Sequence, residues 1–221
     1  MSTTDSEQLL VSAITARLGD PADWSSPSGY PDSLALCVLD AIWSMGVRYQ
    51  SVERVLERYR EQLPGHTRPS DLLAAISGAG GPVEFADLMR NRQRTSTRSG
   101  VLKAEAVRQA AEVLVRARVE TPADLRALDA EDLGEVKRGW LGVHGQRSGI
   151  SWRYLLMLAG VPEVKPDRMI VRFVAGALGT DPRALSSAEA AALVIRAAAA
   201  LGAEPRDLDH RIWLVESRRL G

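Results

Sequence analysis

Apolar residues recur at three- and four-residue spacing along almost the whole chain, and no run alternates apolar and polar as a half-buried strand does. That period predicts helices over 6–18, 32–45, 50–63, 69–77, 83–90, 100–117, 121–128, 150–159, 167–178, 186–201 and 206–218. Several boundaries carry their own chemistry. Thr121-Pro122 sets a capping hydroxyl before a proline at the first helical position. Ser186 followed by Glu189 is a capping box, and Gly160 and Gly202 fall where helices end. The stretch PADWSSPSGYPDS (21–33) is loop by composition, and the alanine-rich 190–200 segment reads as a tightly packed helix. No internal repeat is visible. The expected fold class is all-α.

Composition narrows the possibilities from another side. A chain of 221 residues can bury a real core as one domain or two small lobes. Lysine plus arginine number 28, as do aspartate plus glutamate, so net charge names no partner and only local clusters can. The single cysteine, Cys37, excludes an internal disulfide, a four-cysteine zinc site and a cysteine-ligated iron–sulfur cluster within the chain; it reads as a small buried apolar residue. His66, His144 and His210 are too widely spaced for a compact metal motif, and no metal ligands are expected. The start MSTTDSEQLL lacks a basic segment followed by an apolar run, and the most apolar late stretch, AEAAALVIRAAAALG, is interrupted by Arg196. A cytoplasmic protein is expected, nucleoid-associated if bacterial, with monomer as the default state.

Chemistry concentrates in GVHGQRSGISWRYLLMLAG (142–160), read as helix, tight turn, helix. Glycines permit positive φ and close approach of another backbone. The following helix opens with unpaired N–H groups and a partial positive charge, an arrangement that holds a phosphate without reading a base. Gly145, Gln146, Arg147, Ser148, Gly149 and Ser151 are the candidate contacts. An ordinary αα-hairpin would account for the turn equally well.

After that helix come Gly160-Val-Pro162, then Lys165-Pro166-Asp167, then a helix with Arg172 one turn in. This order resembles the helix-hairpin-helix glycosylase superfamily, the endonuclease III-like DNA repair enzymes, in its form without an iron–sulfur cluster. Aligned from Asp167, His144 takes the hairpin proline position, Gly145 the first glycine, Arg147 the second glycine and Gly149 the lysine. Lys103-Ala-Glu105 resembles the segment ahead of the family's hairpin, and the helix pair 32–63 sits where its first two barrel helices lie. The cysteine cluster that closes many relatives is replaced by a helix bearing LDHRIW (208–213).

The resemblance implies a two-lobed helical fold with a cleft. One lobe would span 28–161 and end in the helix-hairpin-helix; the other would join 1–27 to 162–221 and carry the catalytic aspartate, Asp167. It implies a double-stranded DNA partner, extrusion of a damaged or modified base, and hydrolysis of the N-glycosidic bond. A fixed carboxylate would stabilise the oxocarbenium-like transition state. Because Gly149 stands where strand-nicking members carry a lysine nucleophile, the expected activity is monofunctional, leaving an abasic site without β-lyase cleavage. No cofactor is implied beyond a monovalent cation at the hairpin.

Other segments are read with the same partner in mind. From Arg90 to Arg108 six basic residues (90, 92, 94, 98, 103 and 108) face one acid, Glu105, and Arg94, Arg98 and Lys103 are candidate phosphate contacts. Trp43, Arg48, Tyr49 and Gln50 are candidates for a base pocket or for a wedge filling the extruded base's place, although Gly46 occupies the family's wedge-glutamine position. Trp24, Tyr30 and Trp140 are further pocket candidates, whereas Trp152 and Tyr154 read as packing. Asp129, Glu131, Asp132 and Glu135 read as a solvated helix start. Two other functions fit parts of this pattern: a non-catalytic helix-hairpin-helix DNA-binding protein, with no need of Asp167, and an all-helical protein-interaction domain, with no salt-dependent DNA affinity.

Overall fold

Twelve α-helices carry residues 3–218, which the computed structural model describes. Among the described residues β-pairing is confined to one isolated bridge, Arg94 to Leu102. The chain is all-α, as its periodicity predicts. It divides into two compact units, residues 28–161 and residues 1–27 with 162–221.

The 28–161 unit is organised on α2 (Leu34–Trp43), all of whose residues are buried. Ser33 starts it by accepting the Leu36 N–H, and its sequence LALCVLDAIW is apolar on every side except at Asp40. A helix apolar all round must be surrounded: α2 packs against α3 (Tyr49–Gln62), α4 (Pro69–Gly78), α6 (Lys103–Arg116) and α9 (Ile150–Leu158). α6 in turn packs on α4, on α5 (Pro82–Leu88) and on α8 (Ala130–Gly142). The short α7 (Pro122–Ala127) opens with the expected Thr121 cap, closed into a box by Asp124. It is tied to the end of α9 by Arg126 Nη1 donating to Ala159 O at 2.5 Å. Cys37 is fully buried, and burial pushes its thiol pKa up.

The other unit packs α1 (Thr3–Leu18), α10 (Arg168–Leu178), α11 (Ser187–Ala200) and α12 (Pro205–Arg218) around Leu10, Ile14, Phe173, Val174, Leu208 and Ile212. Ala190, Ala191, Ala197 and Ala198 are fully buried on α11, which lets α1, α10 and α12 all pack against it. Ser186 and Glu189 form the expected capping box. The buried Glu216 meets Arg17 at 3.0 Å and Arg172 at 4.0 Å, and Arg17 lies 4.4 Å over the Phe173 ring.

Three differences from the predicted elements have a local cause. α8 has no counterpart in the periodicity, because KRGW and its glycines dilute the apolar stripe to Val136 and Trp140; its acidic start is nevertheless solvated as expected, with Asp129 accepting from Glu131 N and Asp132 N. The helix expected from residue 100 begins at Lys103, because this stretch pairs with the preceding loop: Val101 O accepts Thr95 N and Lys103 N donates to Gln93 O. The 21–33 loop contains one 3-10 turn, Pro21–Asp23.

Candidate functional site

The hairpin is built from α8, the turn 143–149 and α9. Gln146 N donates to Val143 O at 3.0 Å and Gly149 N to Gln146 O at 3.1 Å. Gly145 and Gly149 both lie in the left-handed region, at φ 83° and 75°, which explains glycine at these two positions. Gly149 is the N-cap of α9 and supplies no side-chain cap. The turn is moored to α6 by His144 N donating to Gln109 Oε1 at 3.1 Å. Arg147 and Ser148 are exposed at its surface.

The loop 90–102 lies against this turn. A Cβ on Gly145 would stand 2.6 Å from Thr95 Cβ, so glycine is also required for the close approach of the loop. Arg94 and Arg98 are exposed there, Arg94 donating to Gly100 O at 2.7 Å. The fold thus sets Thr95, with Arg94 next to it in the chain, against Gly145, two residues before Arg147. The remaining charge of the stretch is partly cancelled. Arg92 is a bidentate partner of Asp87, and Arg108 of Glu105, with Glu112 on its other amine.

Four candidates are corrected. Lys103 is 1% exposed and its Nζ donates to Trp43 O at 2.7 Å and Met45 O at 2.8 Å, closing the C-terminus of α2 rather than meeting a phosphate. Gln146 is 2% exposed, its amide turned back to His144 O at 3.3 Å. Ser151 is fully buried and accepts Trp140 Nε1–H at 3.0 Å. Trp43 is fully buried in the core, where it can neither wedge into DNA nor stack on a base. For Lys103 and Ser151 a residue farther along the chain claims the polar group, whereas the Trp43 indole N–H is buried without a hydrogen-bond partner. Trp24 and Trp140 are core as well, while Trp152 and Tyr154 pack as expected. Trp140 and Trp152 have ring centroids 6.0 Å apart.

Arg48 and Gln50 are exposed at the start of α3, whereas Tyr49 turns inward. Its hydroxyl donates to Asp40 Oδ2 at 2.9 Å, as does that of Tyr30, and Tyr154 reaches the same oxygen at 3.3 Å. Burial, then the Asp40 charge, raises all three phenols, Tyr49 to about 12. A fully buried carboxylate demands such donors. Sequence reasoning missed this cluster; the one signal was a lone aspartate inside an apolar helix.

In the other unit Asp167 is the N-cap of α10, its Oδ1 accepting from Met169 N at 2.8 Å and Ile170 N at 3.4 Å. Asp209, also missed, lies behind it on α12. Asp209 is 6% exposed, accepts Lys165 N at 3.0 Å, and is pushed up to about 8 by burial and then by the Asp167 charge. Two surface hollows of about 410 and 400 Å³ lie against α6, one lined by Leu73, Gly81 and Arg108 and the other by Val113, Leu128 and Gly139; no candidate contact lines either.

Fold and site together define an all-α protein of two helical units, one presenting a glycine hairpin beside an arginine-bearing loop and the other a half-buried aspartate at a helix start. The chain belongs to the family described as "Domain of unknown function (DUF8548)", whose model matches residues 8–217. No curated protein and no solved structure matches it. Among the described residues no helix is long and apolar enough to cross a membrane, and no cluster of three or more His, Cys, Asp or Glu side chains is placed to hold a metal.

Proposed function

We propose that the protein is a monofunctional DNA glycosylase of the helix-hairpin-helix kind. The observation that carries this reading is the Thr95–Gly145 contact, which joins the arginine-bearing loop to the mouth of α9. Arg94, Arg98, Arg147, Ser148 and the start of α9, whose N-cap glycine carries no capping side chain, would form one surface suited to a phosphate backbone. Asp167 supplies the carboxylate. Its cap bonds use Oδ1 and leave Oδ2 out of the cap, so one oxygen is available beside a sugar that gains positive charge as the base departs. That carboxylate also orients the attacking water.

Gly149 supports base removal without strand nicking. No amine stands there, and at φ 75° a lysine would be strained. A monovalent cation fits the hairpin region by its donors: Gln93 Oε1, Thr95 Oγ1 and Gln146 Oε1 are buried without a hydrogen-bond partner, and neutral oxygens suit a hard cation. Such an ion would stiffen the turn and add positive charge next to a phosphate.

A second reading, a DNA-binding module without catalysis, is favoured by Asp167 serving as an ordinary cap. The separating experiment is excision on end-labelled duplexes carrying a panel of oxidised, alkylated, deaminated and mismatched bases, with and without hot alkali. Alkali-dependent cleavage of a duplex, abolished in Asp167→Asn, supports the glycosylase. Salt-sensitive binding with no cleavage of any duplex selects the binding module, and no DNA affinity rejects both.

A further inference from the structure

We infer that Asp209 is a positioning residue for Asp167: its carboxyl anchors the turn from which Asp167 opens α10 and sets the charge standing behind it. This rests on the reading of Asp167 as the reacting carboxylate. The anchoring is a chain of two bonds. Asp209 Oδ1 accepts the Lys165 N–H at 3.0 Å, and Lys165 O accepts the Asp167 N–H at 2.7 Å. Asp209 comes from α12, which packs directly on α10, so the loop 162–167 is held against the helix it starts. Without that bond, the turn before Asp167 would keep its own backbone contact but lose this tie to α12.

The second contribution is electrostatic. Burial is the largest cause of the raised Asp209 pKa; the charges facing it are Asp167 and Glu163, which push it up, and Lys165, which pulls it down, as does the bond from the Lys165 N–H. With a pKa of about 8, Asp209 is protonated at neutral pH and adds no charge to those of Asp167 and Glu163 beside it. Raising the pH through that value places a second buried charge behind Asp167. The two carboxylates then repel, and the turn that fixes Asp167 is the element free to yield. A displacement on the order of 1 Å at a reacting group costs about a hundredfold in rate.

The test uses the full chain in two measurements. The first is single-turnover excision from pH 6 to 9.5 on the panel duplex that the wild type cleaves, comparing Asp209→Asn and Asp209→Leu. Asp209→Asn keeps an acceptor for Lys165 and cannot ionise, so it is expected to retain the neutral-pH rate and lose the fall above pH 8. Asp209→Leu is expected to lose on the order of 10²-fold in kcat with KM unchanged. The second measurement is the carboxyl carbon-13 titration of Asp209, which needs no activity: its midpoint should lie well above the ordinary carboxylate range and drop in Asp167→Asn.

An Asp209→Leu enzyme with wild-type rate and pH profile overturns the inference. So does an Asp209 that titrates like an exposed carboxylate or ignores Asp167→Asn. If the wild type excises no base, the glycosylase reading falls by itself, and the titration alone then decides whether the two carboxylates are coupled.

Discussion

Gly145 of the hairpin and Thr95 of the basic loop stand so close that a methyl group on the glycine would lie 2.6 Å from Thr95 Cβ. The left-handed backbone at Gly145 independently disfavours a side chain, by about 1–2 kcal/mol. Gly145→Ala should therefore lower stability by at least that amount in urea melts. Adding Thr95→Gly should recover the steric part of the loss and leave the backbone part. Full recovery would mean that backbone strain contributes nothing.

The exposed arginines and the buried lysine should separate cleanly. Arg98→Ala and Arg147→Ala are expected to reduce the slope of log affinity against log salt for duplex DNA by about 0.9 each, with stability within about 0.5 kcal/mol of wild type. Lys103→Met leaves the carbonyls of Trp43 and Met45 without their buried donor, and should cost about 2–4 kcal/mol while the salt slope stays unchanged. Equal slopes in all three variants would reject the assignment of this surface.

Asp40 gathers three phenol donors on one oxygen. Asp40→Ala removes the acceptor shared by Tyr30, Tyr49 and Tyr154, and a loss of about 3 kcal/mol or more is expected from denaturant unfolding. Asp40→Asn, which keeps an acceptor oxygen, should lose less. A neutral Asp40→Ala would show that the network adds nothing to stability.

The same phenols set an alkaline limit. Their pKa values are raised in the fold above the ordinary 10.0, so the stability they contribute is complete below pH 10 and is lost as pH rises through the folded values, about 12 for Tyr49. Ultraviolet titration should show phenolate forming together with unfolding above pH 10. Reversible phenolate formation at pH 10 in a folded protein would contradict the buried geometry.

Asp209 works in an earlier window. A carboxyl raised from 3.8 to about 8 favours the folded state fully below pH 4, and that advantage declines up to pH 8, by about 1.4 kcal/mol per unit for one proton. Asp209→Asn should flatten the unfolding free energy between pH 5 and 8. An unchanged slope would mean that Asp209 is ionised in the fold.

Much of the local structure was readable without coordinates. Thr121, Ser186 and Asp129 cap helices through bonds to N–H groups two or three residues on, and Pro122 fits a first helical turn, so nearest-neighbour chemistry decides them. The hairpin glycines were legible for the same reason, their φ values being a local requirement. The burial of polar side chains was not. Lys103 reads as one more charge in a basic run, and Gln146 and Ser151 as hairpin donors, until α2, His144 and Trp140 take up those groups.

By itself the sequence determined that this chain is helical, where most helices begin and end, and that glycine and arginine meet at one turn, because each depends on interactions within a few residues. Only the tertiary structure decided which polar groups face water. Tyr154 lies 114 residues from Asp40, Lys165 44 from Asp209, and Lys103 60 from the carbonyl of Trp43. A buried polar atom must find a partner wherever the packing supplies one, and no periodicity along the chain records where that partner comes from.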